Sequence, residues 1–107
     1  MELDGKVAIV TGGTRGIGRA IALDLAANGA DLALNYRQSA DLAAELAGVI
    51  RGMGRRALVV QADVSSFDDA QAMVRKVLDE FGRIDILVNN AGMNWDGVVW
   101  KMTEEQW

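Results

Sequence analysis

Thr11-Gly12-Gly13-Thr14-Arg15-Gly16-Ile17-Gly18 is the stretch on which the fold turns. It closes the run Lys6–Thr11, in which Val7-Ala8-Ile9-Val10 is uninterrupted apolar sequence. It opens a segment in which Ile17, Ala20, Ile21 and Leu25 recur at helical spacing. A buried strand, a glycine-rich turn and a helix, in that order, supply the context a phosphate-binding loop needs. Gly12 permits a tight turn, Gly16 lets backbone approach a pyrophosphate, and Gly18 lets the helix pack closely on the strand. The free N–H groups and the positive end of the helix dipole then favour an anion. The alternative is a structural turn without a ligand. The spacing is G-x-x-x-G-x-G rather than G-x-G-x-x-G.

Outward from this loop the pattern repeats. Strand candidates are Lys6–Thr11, Asp31–Tyr36, Ala57–Gln61 and Ile84–Asn89. Helical stripes lie between them. Leu42, Leu46, Val49, Ile50 and Met53 form one, and Ala70, Met73, Val74, Val77, Leu78 and Phe81 another. Gly29, Gly54 and Gly82 stand where these helices should stop. Ser66 followed by Asp69 reads as an acidic form of a capping box, and Ser39 as a helix N-cap. Strands that are apolar on both faces, alternating with helices, predict an α/β fold with a parallel sheet and helices on both sides. The chain is short enough for one domain, 1–107.

Composition narrows the chemistry. The 107 residues contain no Cys and no His, which removes disulfides, thiol nucleophiles, the usual zinc sites and Ser-His-Asp catalysis. A net charge of -4 argues against nucleic acid as a partner, so phosphate binding has to be local. Apolar runs are too short to span a membrane. The acidic start Met1-Glu2-Leu3-Asp4 does not resemble a secretory signal, and a cytoplasmic location is expected. Thr103-Glu104-Glu105-Gln106 has the residues of a helix start, yet Trp107 ends the sequence. That predicts a natural domain that continues; the alternative is a frayed tail.

Three motifs follow the loop in order: Asp63-Val64 after the third strand, Asn89-Asn90-Ala91-Gly92 after the fourth, and Lys101-Met102-Thr103-Glu104-Glu105-Gln106-Trp107 at the end. With TGGTRGIG they make the chain resemble the short-chain dehydrogenases/reductases from about Leu3 onward. Within that family it is most similar to 3-oxoacyl-acyl-carrier-protein and acetoacetyl-CoA reductases. The resemblance implies the N-terminal part of a doubly wound Rossmann fold, with about four parallel strands in the order 3-2-1-4. The fourth strand is then expected to be an exposed edge and the chain to be poorly stable or self-associating. It also implies hydride transfer between a nicotinamide cofactor and a carbonyl or hydroxyl substrate, with a 3-oxoacyl thioester as one candidate.

By resemblance, cofactor contacts fall on Gly12, Thr14, Arg15, Gly16, Ile17, Gly18, Tyr36, Arg37, Asp63, Val64, Asn90, Ala91 and Gly92. Asp63 would accept from the adenine amino group and the Val64 backbone would meet the ring. Asn90 would tie neighbouring strands, and Ala91 and Gly92 would approach the ribose. The choice of dinucleotide follows from charge. NAD sites carry an acid at the end of the second strand, but Asn35-Tyr36-Arg37-Gln38-Ser39 has none. Arg15 and Arg37 can instead flank a 2′-phosphate, with Ser39 beside them, and NADP(H) is expected.

The family's catalytic Tyr-x-x-x-Lys and its Ser and Asn partners have no counterpart here. Tyr36 is the one tyrosine and Ala40 stands four residues later. No catalytic residue is therefore assigned, and the chain alone is expected to be inactive. A binding module without chemistry and an inert fragment are the alternatives; a methyltransferase would leave the arginines and NNAG unexplained. Trp95, Trp100 and Trp107 are expected in loops near the substrate entrance, as packing residues. Parent enzymes of this family usually form homotetramers.

Overall fold

Residues 1–90 and the backbone of 98–101 are described by the computed structural model. The strands are β1 (Val7–Thr11), β2 (Asp31–Tyr36), β3 (Ala57–Gln61), β4 (Ile86–Asn89) and β5 (Val98–Lys101). The helices are α1 (Gly16–Ala27), α2 (Ala40–Gly52) and α3 (Phe67–Phe81). Sheet order is β3-β2-β1-β4-β5. The pairs β1–β2, β1–β4 and β2–β3 are parallel. This is the expected 3-2-1-4 arrangement.

One expectation is corrected at the edge. β4 is covered: β5 pairs with it antiparallel, with Ile86 opposite Lys101 and Asn89 opposite Val98. Trp100 accordingly lies in a strand, opposite Leu87, rather than in a loop. The Val98–Lys101 run is short and follows the predicted last strand closely, so its pairing partner was not evident from spacing. Ala91, Gly92, Trp95, the Thr103–Gln106 segment and Trp107 lie outside the described residues. Lys6, Ile84 and Asp85 precede their strands rather than belonging to them.

Alternation along β1 divides the core. Ala8 and Val10 point to one face with Leu32, Leu34, Ile86 and Val88, where Ala22 and Ala26 of α1 and Leu46, Ala47 and Ile50 of α2 cover them. Val7 and Ile9 point to the other with Ala33, Val60 and Ile84, beneath Met73 and Val77 of α3. The first two crossovers run in one direction and the third returns past β1. Right-handed connections therefore put α3 on the second face, opposite α1 and α2.

Packing shifts two of the expected helical faces. α1 buries Gly18, Ala22 and Ala26, whereas Ile17 is 53% exposed. α2 buries Ala43, Leu46, Ala47 and Ile50, while Leu42, Val49 and Met53 lie on the exposed shoulder. Small residues let each helix sit close to the sheet, so the alanine row forms the contact and larger side chains flank it. Gly29, Gly54 and Gly82 all have positive φ at the helix ends, as expected. Ser66 accepts from the Asp69 N–H at 3.3 Å, which is half of a capping box. The Asp69 carboxylate turns instead to the Asp63 N–H at 3.0 Å.

At the opposite end of the sheet Asp85 fastens β1 to the approach of β4. Its carboxylate accepts from the Val7 N–H at 2.9 Å and from Arg83 at 2.8 and 2.7 Å. Burial raises the pKa of Asp85, but Arg83 and the Val7 N–H outweigh it, and the carboxyl stays below its ordinary value.

Candidate functional site: a crevice at the strand ends

In an open parallel sheet the crevice forms outside the carboxyl ends of the strands, where the connections diverge. Here that point lies between β1 and its neighbours, where the first turn leads to α1 and β4 runs into Asn90. Gly16 has φ +60, a conformation side chains rarely adopt, and begins the helix. Gly18 is a close-approach position. An added Cβ would lie 2.8 Å from the Asn90 Nδ2 and 2.9 Å from the Gly13 Cα, and closer still to the Gly12 carbonyl oxygen. The first turn of α1 contains no acid, so nothing opposes an anion at its N-terminus.

The loop is tied to three strands. From β2, buried Asn35 accepts the Gly12 N–H on its side-chain oxygen at 3.4 Å, and its backbone carbonyl accepts the Gly13 N–H at 3.4 Å. The Asn35 amide reaches the Val60 and Ala62 carbonyls at 3.3 and 3.1 Å. From β4, the Asn90 amide donates to the Gly12 carbonyl at 3.3 Å. The Thr11 hydroxyl accepts the Asn90 N–H at 2.9 Å. Asn90 thus joins two strand ends through its amide, as the resemblance implied. Asn35 and Thr11 carried no assigned role. The available signal was a polar side chain inside an otherwise apolar strand.

The second half of the crevice holds the arginines. Arg15, the residue preceding α1, donates from Nη2 to the Ser39 hydroxyl at 3.0 Å. Ser39 precedes α2 but makes no side-chain capping bond, so its expected capping role is corrected: the arginine holds the hydroxyl. Arg37 is 71% exposed and its Nη2 lies 3.6 Å from the Asp63 Oδ2. An acid does therefore stand at this end of the site, brought there from the end of β3 rather than from β2. Asp63 also accepts from the Ser65 hydroxyl at 2.6 Å and the Ser65 N–H at 3.0 Å. These two bonds, then the nearby Arg37, hold the Asp63 carboxyl below its ordinary value against a small opposing effect of burial.

Thr14 is buried in the loop, and Tyr36 is half-buried at the end of β2. Val64 lines a groove of about 710 Å³ on the α3 face, with Phe67, Ala70, Val74, Leu78 and Leu87. Thr11 and Asn89 close one side of it. Gly12, Arg15, Gly18, Arg37, Asp63 and Asn90 are thus gathered at the strand ends by these bonds and close approaches. Ile17 stands apart from them, exposed at the start of α1.

A parallel 3-2-1-4 sheet with a glycine loop between β1 and α1 defines a dinucleotide-fold protein. The chain belongs to the short chain dehydrogenase family, whose model matches residues 6–107. Among curated relatives it is 47% identical over 93 residues to a hydroxynaphthalene reductase of Aspergillus fumigatus, covering 87% of this chain and 34% of that protein. It is 42% identical over 102 residues to a 3-oxoacyl-acyl-carrier-protein reductase of Staphylococcus epidermidis, covering 95% and 42%. The chain thus spans about two fifths or less of these relatives. A short chain dehydrogenase of Burkholderia cenocepacia, crystallised with NADP, superposes with a TM-score of 0.84 at 49% identity, over 87% of this chain and 38% of that one. A blue fluorescent protein from a metagenomic library, crystallised with NADPH, gives 0.84 at 44% identity, over 87% and 38%.

Proposed function

We propose that these residues form the NADP(H)-binding part of a reductase in which hydride passes between the nicotinamide and a carbonyl or hydroxyl carbon. The observation that carries this reading is the paired placement of Arg15, which precedes the acid-free first turn of α1 and reaches Ser39, and Arg37, at the turn after β2. A guanidinium on either side of that turn suits a 2′-phosphate. The positive φ of Gly16 and the absence of an acid in the first turn of α1 suit a pyrophosphate at the helix start. Asp63 is the candidate adenine acceptor, with Val64 beside it.

When bound, NADPH supplies the hydride. The residues of this chain bind and orient it: the loop fixes the pyrophosphate, the arginines select the 2′-phosphate, and Asn90 keeps the β4 end against the loop. Proton delivery to a carbonyl oxygen is not assigned to any residue here. Tyr36 has no lysine four residues on, so the 107 residues alone are inactive in this reading. The names of two relatives, a 3-oxoacyl-acyl-carrier-protein reductase and a hydroxynaphthalene reductase, support a 3-oxoacyl thioester or a hydroxynaphthalene as the substrate class of the whole protein.

Titration of the chain with NADPH and NADH, followed by tryptophan fluorescence or heat, tests the reading. Tighter binding of NADPH, with the difference removed in Arg37→Asp, is expected. Equal affinity for both dinucleotides, or for neither, would overturn it.

A further inference from the structure

Arg37 and Asp63 face each other across the last register pair of β2 and β3, Tyr36 with Gln61. Their charged atoms are 3.6 Å apart. Neighbouring contacts fix both ends. The Gln61 amide donates to the Arg37 carbonyl at 3.2 Å, which holds the chain leaving β2 against β3. The Oδ1 of Asp63 accepts both Ser65 donors, which leaves Oδ2 directed at the guanidinium. The bonds from Ser65 lower the Asp63 pKa further below an ordinary value at which the carboxyl is already ionised at neutral pH.

A 2′-phosphate that engages Arg37 therefore meets a fixed negative charge already on that cation. We propose that Asp63 is a specificity-determining residue that competes with the 2′-phosphate for Arg37 and so moderates the preference for NADP(H) over NAD(H). The inference rests on Arg37 being a ligand of that phosphate, as proposed for the cofactor site. It assigns Asp63 two opposed effects. Its oxygen favours the adenine of either dinucleotide, while its charge disfavours the phosphate that distinguishes them. Asparagine, of the same shape, keeps an acceptor for Ser65 and removes the charge, with an NH2 group in place of the second oxygen.

The test uses adenosine 2′,5′-bisphosphate and 5′-AMP, which differ only in the 2′-phosphate, titrated into the full chain. The ratio of their affinities isolates that group. Asp63→Asn is expected to raise the ratio about two- to five-fold, the range of an exposed ion pair. Asp63→Ser, neutral and smaller, is expected to raise it similarly. In an Arg37→Gln background the gain from Asp63→Asn is expected to vanish. A ratio unchanged or lowered by both neutral variants, with melting like that of the parent chain, would sink the proposal. So would a gain that persists without Arg37, since Asp63 would then act on the phosphate directly. If Arg37→Gln alone leaves the ratio as it was, the reading of Arg37 itself fails, and the competition with it.

Discussion

The Asn35 side chain joins three strands at one point: its oxygen accepts the Gly12 N–H at 3.4 Å while its amide spans the Val60 and Ala62 carbonyls. The residue is buried, so water cannot replace these bonds. Asn35→Leu keeps the volume and strands the Gly12 N–H and the β3 carbonyls. A loss of about 2–4 kcal/mol is expected in chemical denaturation. Because the loop is attached here, dinucleotide affinity is expected to fall in the same variant under conditions where it remains folded.

Gly18→Ala tests the close approach between α1 and the two strand ends. The added methyl group meets Gly13 backbone at 2.9 Å and the Asn90 amide at 2.8 Å. The backbone cannot yield as a side-chain tip would. Destabilisation of about 1–3 kcal/mol is expected from overpacking, read as a lowered melting midpoint. NADPH and NADH binding should weaken together, because the pyrophosphate end is common to both.

Ser39→Ala separates holding from capping. The hydroxyl makes no capping bond to α2, so helix stability should scarcely change. Its partner is Arg15, at 3.0 Å. Releasing that guanidinium is expected to weaken NADPH binding about two- to five-fold, with NADH binding unchanged. Far-UV circular dichroism together with both titrations distinguishes this from loss of a cap.

Asp85 makes stability depend on acid. Its folded-state pKa lies below the ordinary value of 3.8, through Arg83 and the Val7 N–H and despite burial. A depressed carboxyl contributes stability above the ordinary value and loses it as pH falls through the folded value. Asp85→Ala also leaves the Val7 N–H without its acceptor, and a loss of about 1–2 kcal/mol is expected near pH 7. The gap between variant and parent should narrow below about pH 4. A gap independent of pH would count against the ion pair as its cause.

The glycine loop was legible because its residues are consecutive and sit between an apolar strand and a helical pattern. Strand order 3-2-1-4 was legible through the family motifs that follow it, Asp63-Val64 and Asn89 to Gly92. What resisted reading depends on pairs distant in sequence. Arg15 meets Ser39 because parallel pairing sets the ends of β1 and β2 side by side, and Arg37 meets Asp63 because it does the same for β2 and β3. Periodicity located α2 but ranked Leu42, Val49 and Met53 with the core. It weighs hydrophobicity, whereas contact with the sheet favours the smaller Ala43 and Ala47.

The unequal cover on the two faces of the sheet also sets where the molecule opens. Among the described residues, α1 and α2 enclose one face, while α3 is the one helix on the other and buries only Met73 and Val77 fully. Beside it the groove leaves Leu87 and Val74 within reach of solvent. Amide protons of α3 are therefore expected to exchange through local fluctuation, well before those of β1, which is flanked by two parallel strands. Asp63 and Val64 lie on the connection into that helix. In the proposed cofactor site, the adenine end would thus sit on the more readily opened side of the molecule, and the pyrophosphate loop on the more protected one.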